Sequence, residues 1–592
     1  AFGGFKGILG KGMAIFSWDI FLLALFVLAS QPLMMVQGKP WRFLCRMIVF
    51  ATCWILMMVA LADLGYFITT GTNANWPLLQ FVLRNPGLAL PAITGGLSAL
   101  QMLLLAMPLI LVIAAIVTSA LTDSQHSFSA SHSERQYPVP LGVALIALIC
   151  ALLIPDRVAT DISRPFVHNP VIEIVREIIR KPVWNRGDVM PDPSAVSLTD
   201  YPPGTSLKAG RAARPNIVLI IVESGRASAM PPFGDVRGVM PFVERLSDRS
   251  LVVERMYPTT PCTSESLISL FYGVAPPITA RLLYSEIRRP SWPGMMSGLG
   301  YRSAFFSAVD FVESRGEREM VGNMGFDRVM DGRDLSAGRA ASLNYSGAAD
   351  EVFVSPSLDW IDAVRQEGAP FLVAYHTNAS HHPYVLPASI DLYSDFDENE
   401  SYNRYLNALR YTDSVIETLF GEFETRGLTG ETVFAIVGDH GELFGEHGAT
   451  FPHCHFLWED AIRVPFILYA PGSRAKRSVV RGPLQLIDVF PTILDLMGVT
   501  VSGEATPGLS AARGQRRTTV MLSASANQSM ALLRDSLKYL YFFRRQEMKV
   551  FNVVSDPKET VDLAGKIDDQ QHDRIEAELF RWRGAVNASY GL

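Results

Sequence analysis

Apolar residues gather first in four long stretches and afterwards in many short ones. Residues 13–36, 43–70, 97–121 and 139–155 are predominantly apolar, and each is long enough, or nearly so, to cross a bilayer. The fourth, "VPLGVALIALICALLIP", is the shortest. A buried core helix explains any one of these runs, but four in succession predict an N-terminal α-helical transmembrane bundle over residues 1–155. Between the second and third runs, "NANWPLLQFVLRNPGLALP" is amphipathic and broken by prolines, which predicts an interfacial or re-entrant piece.

The placement of Lys and Arg orients the bundle. The tight loop "GKPWRFLCR" carries Lys39, Arg42 and Arg46 and is expected on the cytoplasmic side. The loop at 122–138, with His126, His132 and Arg135, falls on the same side by parity, so everything after Pro155 lies outside the cytoplasm. The chain is then expected in a bacterial inner membrane, with its larger part extracytoplasmic. The same count puts residue 1 outside, and the sequence opens on Ala, so a further span upstream or a processed start is expected.

Residues 156–215 read as a connector. "NPVIEIVREIIRKPVW" sets Val171, Ile172, Ile174, Val175, Ile178 and Ile179 at helical spacing, and the Pro-, Gly- and Ser-rich "MPDPSAVSLTDYPPGTSLKAGRAARP" follows as a linker. From residue 216 the texture changes. "NIVLIIVESG" is a short, nearly continuous apolar run, as in a strand buried on both faces of a parallel sheet. Similar runs recur at "YRSAFFSAV", "PFLVAYHTN", "TVFAIVGDHG" and "VPFILYAPG". Helical patterns alternate with them at "MPFVERLSDRS", "SLDWIDAVRQEG", "YLNALRYTDSVIETLFGEFETRG" and "LIDVFPTILDLMG". This alternation predicts an α/β sandwich with a largely parallel sheet over residues 216–592, where ligands bind beyond the carboxyl ends of the strands.

Composition adds three constraints. A chain of 592 residues exceeds one core. The net charge of -6 gives no support for a nucleic-acid partner. The mean hydropathy of +0.19 is high for a soluble enzyme and agrees with membrane segments. Of the cysteines, Cys45, Cys53 and Cys150 lie in apolar runs, where Cys behaves as a small apolar residue. Cys262 and Cys454 lie in the extracytoplasmic part.

Polar residues that end the apolar runs are the candidates for chemistry. The first run ends in Glu223 and Ser224, and the fourth in Asp439, His440, Gly441 and Glu442. Carboxylates with one imidazole suit Zn²⁺, Mn²⁺ or Mg²⁺. Singly, each has an ordinary structural explanation: Glu223 as a capping acid, Asp439 as a turn residue. "YPTTPCTSESLISLFYG" crowds hydroxyls around Cys262 ahead of a helical run, where Thr263 has the ordinary role of an N-cap. Cys262 adjoins Thr263 and Cys454 lies between His453 and His455, and an oxidising compartment permits a bridge if the fold brings them together.

"VGDHGELFGEHGATFPHCHFLWEDAIRVPFILYAPG", "LIDVFPTILDLMG" and "KYLYFFRRQEMKVFNVVSDPKETVDLAG", in this order, resemble the sulfatase and alkaline-phosphatase superfamily over about residues 215–565. "HTNASHHPY" resembles that superfamily's substrate-facing histidine loop. Counting back ten residues from Gly273 reaches Thr263, not Cys262, and no Pro or Arg follows at the offsets that formylglycine formation requires. The resemblance therefore points to the membrane-anchored branch of lipoteichoic acid synthases and lipid A phosphoethanolamine transferases, whose nucleophile is Thr.

That resemblance implies one divalent ion held by Glu223, Thr263, Asp439 and His440, with Thr263 as nucleophile. It implies His381 on the substrate, with His382 as its neighbour and second choice, and His453 likewise, followed by His455. His376 is read as capping its strand and His447 as shaping a turn. The activity implied is transfer of a phosphoglycerol or phosphoethanolamine head group from a membrane phospholipid, through a phospho-threonine, to a glycan or lipid acceptor. A hydrolase is the alternative, because "GEHG" and "EDAIRVP" are closer to ordinary sulfatases. "LFYGVAPP" resembles a lipopolysaccharide regulator of the superfamily, which gives a third reading as a non-catalytic lipid-binding protein.

Overall fold

Strand β1, Asn216–Val222, is buried along its whole length, and its side chains divide alternately between two cores. Ile217, Leu219 and Ile221 enter one, and Val218, Ile220 and Val222 the other. A strand with period two and no polar face needs layers on both sides, and the fold supplies them. The computed structural model describes residues 206–208 and 214–591, apart from 279–283, 312–315, 337–341, 345, 450–452, 471–476, 503–507, 525–528 and 544–545. All lie in the unit Gly187–Leu592. The four expected spans, the interfacial piece and most of the connector fall outside the described residues. No helix among the described residues is long and apolar enough to cross a membrane.

The other strands of the main sheet are β2 (Leu251–Tyr257), β3 (Arg302–Ser307), β4 (Arg328–Met330), β5 (Phe371–His376), β6 (Thr432–Gly438), β7 (Phe466–Tyr469) and β8 (Ser478–Gln485). Their order across the sheet is β8-β2-β7-β6-β1-β5-β3-β4. Neighbours are parallel except at β7, which runs antiparallel to both β6 and β2. Helices α1 (Thr263–Tyr272) and α4 (Val489–Leu496) cover one face. Helices α2 (Val354–Gln366) and α3 (Glu400–Thr425) cover the other. This is the α/β sandwich with a largely parallel sheet that the apolar runs predict.

A second sheet follows, antiparallel and ordered β9 (Thr519–Ser523), β10 (Ser529–Arg534), β11 (Leu537–Phe542) and β12 (Glu547–Asn552). Helix α5, Asp569–Ser589, packs Ile575, Leu579, Trp582 and Val586 on one face. The other face meets Leu443, within the loop after β6, and Leu457, Trp458 and Ile462, which follow His455. Lys538 of β11 is fully buried there, its Nζ 2.7 Å from the Leu457 carbonyl and 3.2 Å from Glu459 Oε1, with Glu559 also beside it. Ser523 N–H donates to the Thr259 carbonyl at 2.9 Å, which ties β9 to the loop ahead of α1. The small sheet therefore buttresses the loops at the carboxyl edge of the main one.

Candidate active site

Three adjacent parallel strands, β6, β1 and β5, deliver their carboxyl ends to one place. β1 hands over Glu223, β6 hands over Asp439 and His440, and β5 ends on His376, all fully buried. Glu223 and Asp439 can stand this close because glycines flank them. A Cβ on Gly225 falls 2.8 Å from Gly438 Cα, and one on Gly438 falls 2.5 Å from the Gly225 carbonyl. Ser224 N–H and His440 N–H both donate to Asp439 Oδ1, at 2.9 and 2.7 Å. Glu223 N–H donates to Thr377 Oγ1 at 3.0 Å. Backbone and side chain are locked together.

The loop after β2 brings the fourth group. Cys262 is the N-cap residue of α1, so Thr263 is the first helical residue and not the cap that its position in the sequence suggests. Ser266 Oγ, one turn on, donates to the Asp439 carbonyl at 2.7 Å and fastens the helix to the β6 loop. Thr263 Oγ1 lies 3.2 Å from Glu223 Oε2 and 3.2 Å from His440 Nε2. His440 Nε2 is in turn 3.5 Å from Glu223 Oε1 and 3.4 Å from Asp439 Oδ2. Glu223, Thr263, Asp439 and His440 thus converge on one point.

His376 joins them, and this corrects its reading as a strand cap. Its Nε2 is 3.0 Å from Glu223 Oε2 and 3.9 Å from Asp439 Oδ2, and Glu223, His376 and Asp439 form a group compact enough to hold a metal ion. The signal was present in the sequence. His376 ends an apolar run at the carboxyl edge, as Glu223 does.

The electrostatics follow from burial. Desolvation, then the Glu223 charge, push Asp439 up to about 7, whereas the His376 hydrogen bond and the imidazole charges outweigh burial at Glu223 and hold it well below the usual carboxylate range. Burial opposes charge on His440, but Asp439 and Glu223 outweigh it and raise the imidazole. Asp439 Oδ2 is buried without a hydrogen-bond partner. An acceptor left bare beside a second carboxylate, with imidazoles on both sides, is a donor set that fits a divalent cation.

Three imidazoles lead outward from this point. The His453 ring is 4.3 Å from that of His440, and the His381 ring is 5.9 Å from that of His453. His453 Nδ1 lies 3.0 Å from Glu442 Oε1, and burial, with the neighbouring His440, lowers His453 to about 3. Burial also lowers His381, whose Nδ1 meets the His382 carbonyl at 2.8 Å. His382 is exposed, its ring edge-on to Tyr384. His455 is buried, its N–H on the His453 carbonyl at 2.8 Å. His447 stacks on Trp458 at 3.9 Å in a left-handed turn. Cys262 and Cys454 are joined in a disulfide.

Residues 215–499 match the sulfatase family model. A lipoteichoic acid synthase-like protein of Bacillus subtilis is 23% identical over 339 residues, 55% of this chain and 54% of its own length. An ulvan-active sulfatase of Formosa agariphila is 22% identical over 321 residues, 49% of this chain and 62% of its own. The chain thus spans between half and two thirds of the length of these relatives. A crystal structure of an alkaline phosphatase superfamily protein from Vibrio parahaemolyticus shares the fold, with a TM-score of 0.52 at 17% identity over 67% of this chain and 95% of that one. The region matched by the family model carries Glu223, Thr263, His381, Asp439 and His453, and residues 215–499 of the chain belong to the sulfatase and alkaline-phosphatase superfamily.

Proposed function

We propose that this chain is a metal-dependent transferase. It moves a phosphoglycerol or phosphoethanolamine head group from a membrane phospholipid to an extracytoplasmic glycan or lipid acceptor. The observation that carries the reading is the position of the Thr263 hydroxyl, 3.2 Å from both Glu223 Oε2 and His440 Nε2 at the start of a helix. The disulfide of Cys262 supports it, because a half-cystine is no precursor of the formylglycine that sulfatases use.

Glu223, Asp439 and His440, with Thr263 and with His376 beside them, are the groups that would hold a divalent ion. Such an ion lowers the pKa of a bound hydroxyl and offsets charge on phosphoryl oxygens. Thr263 Oγ1 gives up its proton and attacks the head-group phosphorus, the bond to the diacylglycerol oxygen breaks, and that oxygen takes up the proton. His381 and His453 line the way out and are placed to bind phosphoryl oxygens and pass that proton. An acceptor hydroxyl then attacks phospho-Thr263, the P–O bond to the threonine breaks, and the acceptor's proton passes to the freed threonine oxygen. The helix N-terminus favours the anionic group bonded there.

A hydrolase with water as acceptor is the second reading, supported by the match to the ulvan-active sulfatase. The assembled set at Thr263 weighs against a non-catalytic regulator. Incubation with phosphatidylglycerol or phosphatidylethanolamine, followed by mass spectrometry of the Thr263 peptide, tests the scheme. Head-group mass on that peptide is expected, and its absence with both donors, in protein that still releases diacylglycerol, removes the phospho-threonine step.

A further inference from the structure

Two residues of the proposed reaction stand beside the two halves of one cystine. Cys262 is bonded to Cys454 across 192 positions, with Cα atoms 4.8 Å apart. Thr263 follows the first half, and His453 and His455 flank the second. Because Cys262 is the N-cap residue of α1, the bridge is attached where that helix presents Thr263. Beside it, Cys454 N–H donates to the Pro261 carbonyl at 2.9 Å. Cys454 has a φ of 65°, a left-handed conformation that a non-glycine residue holds only where its surroundings impose it.

The side-chain contacts of His453 run elsewhere. Its Nδ1 meets Glu442 and its ring lies against His440, both in the loop after β6. The bridge instead connects the His453 turn to the loop after β2. We infer that Cys262–Cys454 is a positioning element of the active site, fixing the His453 turn against the helix end that carries Thr263, so that full turnover requires the oxidised pair. This rests on Thr263 as the reacting hydroxyl. It also ties assembly of the site to an oxidising compartment, where such a bridge persists.

Reduction adds two electrons and two protons to the cystine and gives two thiols. A water-soluble phosphine supplies the electrons and leaves as its oxide, with oxygen from water. The test uses the full chain in detergent micelles containing phosphatidylglycerol and phosphatidylethanolamine, with diacylglycerol release as the assay. Reduction should lower kcat at least tenfold while KM, bound metal and circular dichroism hold, and reoxidation should restore it. A Cys262→Ala/Cys454→Ala double variant should sit at the reduced level and ignore the phosphine, which controls for any effect of the reagent on the metal.

Hydrogen exchange gives a readout that does not need turnover. Reduction should raise exchange at the Cys454 and His455 amides and leave β6 protected. Unchanged exchange, a reduced protein with kcat within twofold, or a kcat loss that follows unfolding or metal loss would overturn the inference. If the double variant does not fold, reversible reduction of the folded wild type decides. Thr263→Ala tests the underlying reading separately. Turnover that survives that change removes the phospho-threonine scheme, whereas turnover indifferent to reduction removes only the bridge.

Discussion

Thr263 and His440 are 177 positions apart in the chain, yet the threonine Oγ1 lies 3.2 Å from the imidazole Nε2. His440 Nδ1 meets the Gly441 carbonyl at 2.9 Å. A carbonyl only accepts, so the ring carries a proton on Nδ1, and in the neutral Nδ1–H tautomer Nε2 faces the threonine with its lone pair. That tautomer is the one a metal-ligating imidazole needs. Thr263, Glu223 and Asp439 share the same point, so these four groups are the ones that would hold a cation there.

Purified chain should contain a single divalent ion, measurable by elemental analysis. Asp439→Asn removes one of the two charges facing it and should weaken binding by at least about tenfold. A chelator should abolish turnover, and adding back Zn²⁺, Mn²⁺ or Mg²⁺ will identify which ion restores it. Full occupancy in the Asn variant would place the ion elsewhere.

His376 supports Glu223 with a 3.0 Å contact from a fully buried ring. His376→Ala should lower metal affinity by roughly 10–100-fold. Excess metal should recover most activity, because the threonine is untouched. Activity that no metal concentration recovers would give His376 a direct part in the reaction.

Gly438 tests the close approach of β6 to the Glu223 turn. In Gly438→Ala the new Cβ falls 2.5 Å from the Gly225 carbonyl and 2.8 Å from Pro465 Cδ. Overpacking of this kind costs about 1–3 kcal/mol. Denaturant unfolding should show that loss, and turnover should fall as Glu223 and Asp439 part. Wild-type stability and rate would mean that the turn yields freely.

Much of this was legible in the chain because a doubly buried parallel strand announces itself as an unbroken apolar run, and the residue that ends the run sits at the carboxyl edge. Glu223 and Asp439 are visible in this way. His376 obeys the same rule but follows a tyrosine, and a lone histidine at a strand end reads as a cap. β2 escaped because Glu254 and Arg255 interrupt "LVVERMY", where the strand leaves the buried layer. The direction of β7 was not legible, since a buried run looks the same either way. The distance between Cys262 and Cys454 is a property of the fold, and no spacing in the sequence contains it.

Topology is open to a direct check. The basic loop at Lys39–Arg46 predicts that residues after Pro155 lie outside the cytoplasm, and the Cys262–Cys454 bridge agrees with an oxidising compartment. Alkaline-phosphatase fusions placed just after Pro155 should be active, and reporters that work only in the cytoplasm should be silent there. The reverse pattern would remove the extracytoplasmic acceptor from reach of the site.

The central claim is that Thr263 carries the transferred group. Rapid acid quenching during turnover of phosphatidylglycerol or phosphatidylethanolamine, followed by peptide mass spectrometry, reads it directly. The account predicts a phosphoglycerol or phosphoethanolamine adduct on Thr263, formed and consumed at the rate of turnover. Thr263→Ala should lack it and lose roughly a thousandfold or more in rate. Turnover undiminished in Thr263→Ala, or an adduct on any other residue, would contradict it.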